Sequence, residues 1–173
     1  QERLKEIIVV NNGSTDKTAC VAKKHGARVV DETLRGYGAA CLKGISELDD
    51  PEIVVFIDGD FSDFPEEIES LVKPIVENRA DFVLGSRMIF PESRAALLPQ
   101  ARYGNLLAVF LMKLFFRCQF TDLGPFRAIR YQSLKEISMT DKNFGWTVEM
   151  QIKVVKHGLR IMEIPVHYRK RIG

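Results

Sequence analysis

The segment Ile53-Val54-Val55-Phe56-Ile57-Asp58-Gly59-Asp60 decides the fold. Its five leading apolar residues predict a strand that is covered on both faces, because such a strand needs no polar alternation. Asp58 and Asp60 follow at the carboxyl end of that strand, which is where ligands bind in an open α/β sheet. Their oxygens suit Mg²⁺ or Mn²⁺, which proteins hold with one or two carboxylates together with substrate phosphates. An ordinary Asp-Gly turn is the alternative, and the tripeptide alone does not exclude it.

The beginning of the chain repeats the order of strand, polar turn and helix. Residues 6–10 predict a second buried strand, which ends in the polar run Asn11-Asn12-Gly13-Ser14-Thr15-Asp16. A helix over residues 17–25 and a short strand over residues 27–30 follow. This alternation predicts an α/β fold with a mostly parallel central sheet flanked by helices.

A glycine-rich turn, Arg35-Gly36-Tyr37-Gly38, opens the next helix. Small residues at a helix N-terminus leave room for an anion against free backbone amides, where the helix dipole favours negative charge. Close packing of the helix against a neighbouring segment explains the same small residues equally well. The turn matches neither a Walker A loop nor a Gly-x-Gly-x-x-Gly fingerprint.

The second half of the chain continues the alternation. The pattern predicts helices over 65–78, 101–117 and 146–157, strands over 81–84 and 159–169, and loop residues to about Leu98. The helix over 101–117 is almost wholly apolar past Asn105, so it is buried in the core or lies against a membrane or a partner. We expect core burial, because an apolar run from Leu106 to Phe116 is too short to anchor a protein alone.

The composition narrows the class of protein. The 173 residues are 46% apolar, and 25 Lys and Arg balance 23 Asp and Glu, which argues against a nucleic-acid binder. Cys20, Cys41 and Cys118 have no metal-type spacing and cannot all pair, so we expect buried, reduced thiols and a cytoplasmic protein. No apolar run reaches the ~20 residues that a membrane-spanning helix requires.

Taken in order, the motifs resemble those of the family 2 glycosyltransferases with the GT-A fold, nearest to the dolichol- or polyprenyl-phosphate sugar synthases. Seven short segments with fitting spacing cover nearly the whole chain. They are Asn12-Gly13-Ser14-Thr15-Asp16, Arg35-Gly36-Tyr37-Gly38-Ala39, Asp58-Gly59-Asp60-Phe61-Ser62, Gly85-Ser86-Arg87, Arg102 with Gly104-Asn105, Asp122 with Gly124-Pro125-Phe126-Arg127, and Glu149 ahead of Glu163-Ile164-Pro165-Val166.

The resemblance implies a three-layer GT-A fold, a nucleotide-diphosphate sugar as donor, and a Mg²⁺ or Mn²⁺ ion bridging the diphosphate. It gives Asp58 as a contact to the nucleotide ribose or the metal, Asp60 as a metal ligand that is also catalytic, and Ser62 as a residue that completes the metal shell. It gives Asp122 as the catalytic carboxylate on the acceptor side. The remaining substrate-binding residues that it implies are Asn11, Asn12, Arg35, Gly36, Gly38, Asp58, Arg87, Arg102, Arg127 and Glu149. Relatives often carry Asp where Asn11 or Asn12 stands, and an amide offers a donor and an acceptor but no charge.

In the lipid-phosphate relatives, arginines matching Arg87 and Arg102 hold the acceptor phosphate, a role that suits guanidinium forks. The resemblance therefore implies a polyprenyl or dolichyl phosphate acceptor and peripheral contact with the cytoplasmic face of a membrane. The basic run Arg169-Lys170-Arg171 can meet anionic headgroups there. Measured against the family, residues 1–173 correspond to one catalytic domain, a fragment without the family's first strand.

The expected reaction is an inverting sugar transfer in which the metal absorbs the charge that develops on the leaving diphosphate. A lipid phosphate is already anionic, so Asp122 would only orient groups. A soluble hydroxyl acceptor would need Asp122 as general base. A truncated, non-catalytic nucleotide-binding module and a sugar-nucleotide pyrophosphorylase are competing interpretations, although the glycine-rich N-terminal loop usual in pyrophosphorylases is absent.

Overall fold

The computed structural model describes residues 4–117 and 119–172. The chain divides into two compact units. The first unit comprises Gln1–Pro51 and Ser138–Glu149, and the second unit comprises Glu52–Ile137 and Met150–Gly173. The expectation of one catalytic domain over residues 1–173 stays a prediction.

The first unit contains the strand–helix repeat that the sequence predicted. Strand β1 (Ile8–Asn11) pairs in parallel with β2 (Arg28–Asp31), and the helices α1 (Thr18–Lys24) and α2 (Tyr37–Ser46) follow the two strands in turn. Gly26, with φ +85°, turns the chain from α1 toward β2, which a residue without a side chain does at no steric cost.

Trp146, the sole tryptophan, is fully buried and also belongs to the first unit. Its ring packs edge-on against Tyr37 at the start of α2, with 6.0 Å between the ring centroids and 72° between the ring planes. Such an edge-to-face aromatic pair stabilises a fold by more than its buried area alone.

The second unit is built on a four-stranded sheet in the order β3-β5-β4-β6. Its strands are β3 (Ile53–Phe56), β4 (Phe82–Ser86), β5 (Arg127–Arg130) and β6 (Ile161–Pro165). β4 and β6 are parallel, whereas β5 runs antiparallel to both β3 and β4. The α/β class is confirmed, but this sheet is mixed rather than mostly parallel.

The register explains the direction of β5. Its first residue, Arg127, lies opposite Phe56 and Leu84, which are close to the carboxyl ends of β3 and β4. The chain reaches the sheet at that edge and can only run back through it. The same geometry places the loop before β5 at the edge where Asp58 and Asp60 follow β3.

Five helices complete the description. They are α3 (Ile68–Val76), which follows a 3-10 turn over Pro65–Glu67, α4 (Pro91–Ala96), α5 (Pro99–Phe116), α6 (Tyr131–Ile137) and α7 (Trp146–Lys156). The sequence predicted loop residues where α4 lies. Pro91 and Pro99 occupy the first turns of α4 and α5, where a missing amide hydrogen removes no helical bond.

The core of the second unit lies between α3 and the sheet. Its fully buried apolar residues are Leu71, Ile75, Ala80, Val83, Phe126, Ala128 and Val166. Burying a large aliphatic side chain contributes about 1.5–3 kcal/mol relative to leaving it exposed. The apolar face of α3 therefore fixes that helix on the sheet.

Helix α5 is not the core helix that its sequence predicted. Of its residues, Asn105 and Met112 are buried. Eight large apolar or aromatic side chains are exposed, namely Tyr103, Leu106, Leu107, Phe110, Leu111, Leu114, Phe115 and Phe116. The second unit thus leaves a broad apolar helix face uncovered. Among the described residues, no helix is both long enough and apolar enough to cross a bilayer.

The expectation of buried thiols is wrong for Cys20, which is exposed, and holds only in part for Cys41, which is half-buried. Cys20 is a free thiol. Cys118 lies outside the described residues.

Candidate functional site

The loop after β3 brings Asp60 and Ser62 into direct contact. Asp60 Oδ1 accepts hydrogen bonds from the Ser62 hydroxyl and from the Ser62 backbone amide, the latter at 3.0 Å. Ser62 is fully buried. In this geometry the Ser62 hydroxyl orients the Asp60 carboxylate. The ligand role of Ser62 stays a prediction.

A third aspartate, Asp63, belongs to the same loop, and the sequence pattern had marked it only as a turn residue. It is 2% exposed, and within the described structure neither carboxylate oxygen has a hydrogen-bond partner. Burial raises the pKa of Asp63 to about 7, the charge of Asp58 adds to this rise, and Arg87 partly opposes it. Three aspartates within six residues were the signal that could have identified it.

The loop after β3 can supply a few oxygen ligands to a divalent cation. Asp58 and Asp60 offer hard carboxylate oxygens, and the buried carboxyl of the nearby Asp63 has no hydrogen-bond partner within the described structure. The described residues contain no group of three or more His, Cys, Asp or Glu arranged to hold a metal. Mg²⁺ and Mn²⁺ need few protein ligands when substrate phosphates and water supply the rest. The donor set therefore suits a cation that arrives with a diphosphate.

In the second unit, Asp122 forms an ion pair with Arg87. The guanidinium donates from Nε to Asp122 Oδ2 and from its terminal nitrogen to Oδ1, each at 2.8 Å. The backbone amides of Arg87 and Leu123 donate to the same carboxylate at 2.8 and 2.7 Å. The Asp122 side chain is fully buried, so four donors occupy a carboxylate that solvent does not reach.

This pairing changes the role expected for Arg87. Burial lowers the pKa of the guanidinium, but the hydrogen bonds and charge of Asp122 more than offset that effect, so the net pKa is raised. The guanidinium carbon also lies 5.1 Å from the ring centroid of Tyr168. Arg87 is therefore a permanent cation whose fork already holds a carboxylate, rather than a free fork for a phosphate.

The loop that carries Asp122 is braced from two helices. Asn105 of α5 accepts from the Leu123 amide at 2.7 Å and donates to the Thr121 carbonyl at 3.2 Å. Gln151 of α7 donates to the Asp122 carbonyl at 2.8 Å. The buried side-chain amides of Asn105 and Gln151 thus fix the backbone around the Arg87–Asp122 ion pair.

Arg102 lies apart from this pair, in a cleft at the beginning of α5. The cleft has a volume of ≈350 Å³ and carries three cations, Arg94, Arg102 and Lys170, together with Tyr103. Its other walls are Ala95, Ala96, Leu97, Leu98 and Pro99. A cationic cleft with an apolar wall suits an anionic group attached to an apolar body. Arg94 was missed because the sequence predicted a loop there.

Arg127 does not face a substrate in this structure. It is fully buried, and its guanidinium donates to the carbonyl oxygens of Gly124 and Leu123. These bonds close the turn before β5. The geometry favours a structural role for Arg127 over the predicted substrate contact.

Asn11 and Asn12, at the end of β1, hold the first unit together. Asn12 donates to the carbonyls of Glu32 and Leu34 at 2.9 and 2.7 Å and accepts from the Gly36 amide at 3.0 Å. Asn11 donates to Asp31 Oδ1 at 2.7 Å and accepts from the Ser14 amide at 3.1 Å. Contact with a nucleotide base stays a prediction for both residues.

The amides of Gly36 and Gly38, where the sequence predicted an anion cradle, donate to groups of the first unit. The amides of Gly38 and Ala39 donate to the carbonyls of Asn143 and Lys142 at 3.1 and 2.9 Å. A Cβ atom on Gly38 would lie 2.1 Å from the Asp141 carbonyl oxygen. The small residues therefore permit close approach of the segment before α7, which was the alternative explanation, and their amides are not open to an anion.

Glu149 braces that same segment. Its carboxylate accepts from the Thr140 amide and hydroxyl at 3.0 and 2.7 Å and from the Asp141 amide at 2.8 Å. We find no substrate-facing geometry for it. Arg35 is exposed, and its Nε lies 3.5 Å from where a Cβ on Gly13 would stand, so its predicted substrate role stays a prediction.

Known proteins share this arrangement of strands and loops. Residues 1–138 match the family model described as Glycosyl transferase family 2. The chain belongs to glycosyl transferase family 2. This confirms the family and the enzyme class that the motifs predicted.

Individual relatives agree with the family assignment. An uncharacterised glycosyltransferase of Mycobacterium tuberculosis is 33% identical over 166 residues, which is 96% of this chain and 74% of that protein. A dolichyl-phosphate hexose transferase of Haloferax volcanii is 33% identical over 171 residues, covering 96% of this chain and 71% of that protein.

Among solved structures, glucosyl-3-phosphoglycerate synthase from Mycobacterium tuberculosis, bound to Mn²⁺, uridine-diphosphate-glucose and phosphoglyceric acid, matches with a TM-score of 0.76 at 23% identity. The match covers 98% of this chain and 61% of that one. It confirms the GT-A fold. The chain thus spans about three fifths of the solved structure.

Proposed function

We propose that this chain is the catalytic part of an inverting glycosyltransferase that moves a sugar from a nucleotide-diphosphate sugar to a polyprenyl or dolichyl phosphate. The acceptor's phosphate oxygen attacks the anomeric carbon from one face. The bond from that carbon to the diphosphate breaks on the opposite face, and its electron pair leaves with the diphosphate. A bound Mg²⁺ or Mn²⁺ would neutralise charge on that leaving group.

The burial and hydrogen bonding of the Asp122 carboxylate support a lipid phosphate rather than a hydroxyl group as the acceptor. A hydroxyl acceptor needs a general base within hydrogen-bond reach of its proton. Asp122 was the candidate base, but it is fully buried and its oxygens accept four hydrogen bonds, three of them from Arg87. A lipid phosphate needs no such base because it is already anionic. The geometry supports an acceptor that brings its own nucleophilic charge, with Asp122 orienting Arg87.

The cleft at the start of α5 offers a place for that acceptor's phosphate. Arg94, Arg102 and Lys170 line it, and three cations suit a phosphate dianion. Leu97 and Leu98 give the same cleft an apolar wall, on which the first part of a lipid chain can lie. We assign the acceptor phosphate to this cleft, with Arg102 retained from the sequence prediction and Arg87 replaced by Arg94 and Lys170.

The exposed face of α5 supports contact with a membrane. Leu107, Phe110 and Leu114 are 59–60% exposed, and they lie three or four residues apart on one side of the helix. Exposed apolar faces of this size mark interaction sites rather than ordinary surface. Basic residues of the cleft lie at the N-terminal end of this helix and would meet anionic headgroups. Location on the cytoplasmic side is part of this proposal.

In this proposal Asp58 and Asp60 bind the metal ion that accompanies the nucleotide-diphosphate sugar. We expect Asp60→Asn to weaken binding of Mn²⁺ with a nucleotide-diphosphate sugar by at least about tenfold, because it removes one charged ligand. Calorimetry over a panel of nucleotide sugars measures this. Equal affinity of the variant and the parent would remove Asp60 from the metal site, and the thermal unfolding temperature of both proteins shows whether the fold is intact.

A transfer assay with radiolabelled sugar tests the acceptor. We expect transfer to undecaprenyl or dolichyl phosphate, and a loss of about tenfold or more in acceptor kcat/KM for Arg102→Ala, since charge-assisted hydrogen bonds contribute ~1.5–3 kcal/mol. Arg79→Ala, which removes an arginine paired with Glu77 outside the site, is the matched control. Transfer only to a soluble hydroxyl compound would refute the lipid-phosphate assignment.

Co-sedimentation with vesicles that contain phosphatidylserine tests the membrane contact. We expect Phe110→Ser combined with Leu114→Ser to reduce the bound fraction at least about threefold, because each buried CH₂ contributes ~0.8 kcal/mol. Phe144→Ser is the control, since Phe144 is 85% exposed and belongs to the first unit. A loss of equal size in the control would show that α5 has no special role.

A further inference from the structure

We propose that Arg169 is a positioning residue for the cation site, which it serves by holding Phe61 in a left-handed backbone conformation. This inference rests on the proposed function, because it concerns the cation that Asp58 and Asp60 would bind. Its basis is the contact between the segment over residues 167–172 and the loop after β3.

Phe61 lies between Asp60, a proposed cation ligand, and Ser62, which donates two hydrogen bonds to the Asp60 carboxylate. Its φ is +67°, a conformation that is a genuine outlier for a bulky side chain. Such residues persist where surrounding contacts enforce them. Because Phe61 is 55% exposed, burial of its ring in a core does not supply the enforcing contact.

Arg169 supplies that contact. Its guanidinium carbon lies 3.3 Å from the ring centroid of Phe61 and 4.3 Å from that of Phe64. Its Nε donates to the Phe61 carbonyl oxygen, and a terminal nitrogen lies 3.5 Å from the Asp63 carbonyl oxygen. A planar guanidinium can stack on rings and donate in its own plane at once, which an ammonium cannot do.

The backbone of the same segment fastens the loop on both sides of Phe61. The Arg169 amide donates to the Ser62 carbonyl at 3.0 Å, and the Ile172 amide donates to the Asp60 carbonyl at 3.0 Å. A bridge pairs Asp63 with Tyr168 in antiparallel fashion. Removing the guanidinium leaves these backbone bonds in place, so the variant keeps the segment and loses only the hold on Phe61.

The consequence concerns the carboxylate of Asp60. Rotation of Phe61 out of its left-handed conformation would change the angle between Asp60 and Ser62, whose amide and hydroxyl orient that carboxylate. A cation that takes few protein ligands depends strongly on the placement of each. Residues that orient metal ligands typically alter affinity about 10–100-fold when they are replaced.

Titration of the full chain with Mn²⁺, both alone and with uridine diphosphate present, followed by the electron paramagnetic resonance of the ion, tests this role. We expect Arg169→Ala to weaken Mn²⁺ binding by about tenfold. The Mn²⁺ affinity of Arg169→Lys should lie between those of Arg169→Ala and the parent. Arg171→Ala removes the same charge from the same segment and should leave the affinity within about twofold. Thermal unfolding of each variant checks that the fold is retained.

A second variant separates positioning from direct contact with a ligand. Asn tolerates positive φ, so in a Phe61→Asn background the loss caused by Arg169→Ala should shrink to about twofold or less. Mn²⁺ affinity that is the same in Arg169→Ala and the parent would overturn the positioning role while leaving the proposed function standing. Absence of Mn²⁺ binding by the parent both alone and with uridine diphosphate, or equal binding by the parent and Asp60→Asn, would overturn both.

Discussion

Asp122 and Asp63 are two buried aspartates of the same unit with opposite surroundings. Asp122 is fully buried and accepts four hydrogen bonds, two of them from the guanidinium of Arg87. Asp63 is 2% exposed, and within the described structure its oxygens have no donor in good hydrogen-bond geometry, so the Asp58 backbone lowers its pKa only in small part. In the folded protein, hydrogen bonds and a cation stabilise the Asp122 carboxylate, whereas the Asp63 carboxyl has no comparable partner. The difference indicates where the protein needs something from outside, because a buried charge without a partner is strongly unfavourable.

Removal of Asp122 should give the largest effect on stability. We expect Asp122→Ala to lower the free energy of unfolding by about 3–5 kcal/mol, because it leaves Arg87 buried without its partner. Urea unfolding followed by circular dichroism measures this.

The double variant Arg87→Met with Asp122→Leu removes both charges, so it should recover much of that loss. A loss below about 1 kcal/mol for Asp122→Ala would show that water or another residue replaces the carboxylate, and the contrast with Asp63 would then disappear.

Removal of the charge at Asp63 should instead stabilise the protein at high pH. The folded-state pKa of Asp63 is about 7, above the ordinary 3.8, so its contribution to stability is full below pH 3.8 and is lost as the pH rises to 7. At pH 8 we expect Asp63→Asn to exceed the parent in free energy of unfolding by up to roughly 4 kcal/mol.

Near pH 4 the two proteins should differ little. Urea unfolding at both pH values gives the comparison, and Asp58 and Asp60 must remain intact because Asp58 contributes to the raised pKa. A constant difference from pH 4 to pH 8 would mean that Asp63 titrates normally and has a donor in solution.

Asp81 is an intermediate case, because its charge is paired with Arg160 but the ion pair is partly exposed to solvent. Arg160 donates from Nε and a terminal nitrogen to Asp81 at 2.9 and 2.6 Å, and these bonds lower the pKa of Asp81 to about 2. The resulting stability is present above pH 3.8 and is lost as the pH falls to about 2.

We therefore expect Asp81→Asn to lower the free energy of unfolding by roughly 1 kcal/mol at pH 6, since solvent screens the pair, and by almost nothing at pH 2. Unfolding curves at the two pH values test this. Arg94→Ala, which removes an arginine from the cleft instead, should show no such pH dependence, and an identical profile in both variants would contradict the assignment to Asp81.

The sequence predicted the strands and most helices because their patterns are local. The run from Ile53 to Ile57 is apolar at every position, and β3 forms there, ending at Phe56. The antiparallel direction of β5 depends on which edge of the sheet the chain reaches, and no local pattern records that. The exposure of α5 was missed for the same reason, since an apolar helix has the same sequence whether or not another element covers it.

The site shows the same division between local and distant information. Asp58 and Asp60 follow a recognisable strand, so their position was predictable. The pairing of Arg87 with Asp122 joins residues 35 positions apart, and spacing alone could not reveal that the guanidinium is already occupied. Gly36 and Gly38 illustrate an ambiguity, because small residues serve an anion or a neighbouring backbone equally well, and only the carbonyl of Asp141 decides between them.

The position of Trp146 makes the two units separately observable during unfolding. It is the sole tryptophan and lies fully buried in the first unit, beside Tyr37. Tryptophan fluorescence therefore follows the first unit, whereas far-ultraviolet circular dichroism follows the helices of both. Coincident transitions by the two probes would show that the chain unfolds as one cooperative body, and separated transitions would assign a distinct stability to each unit.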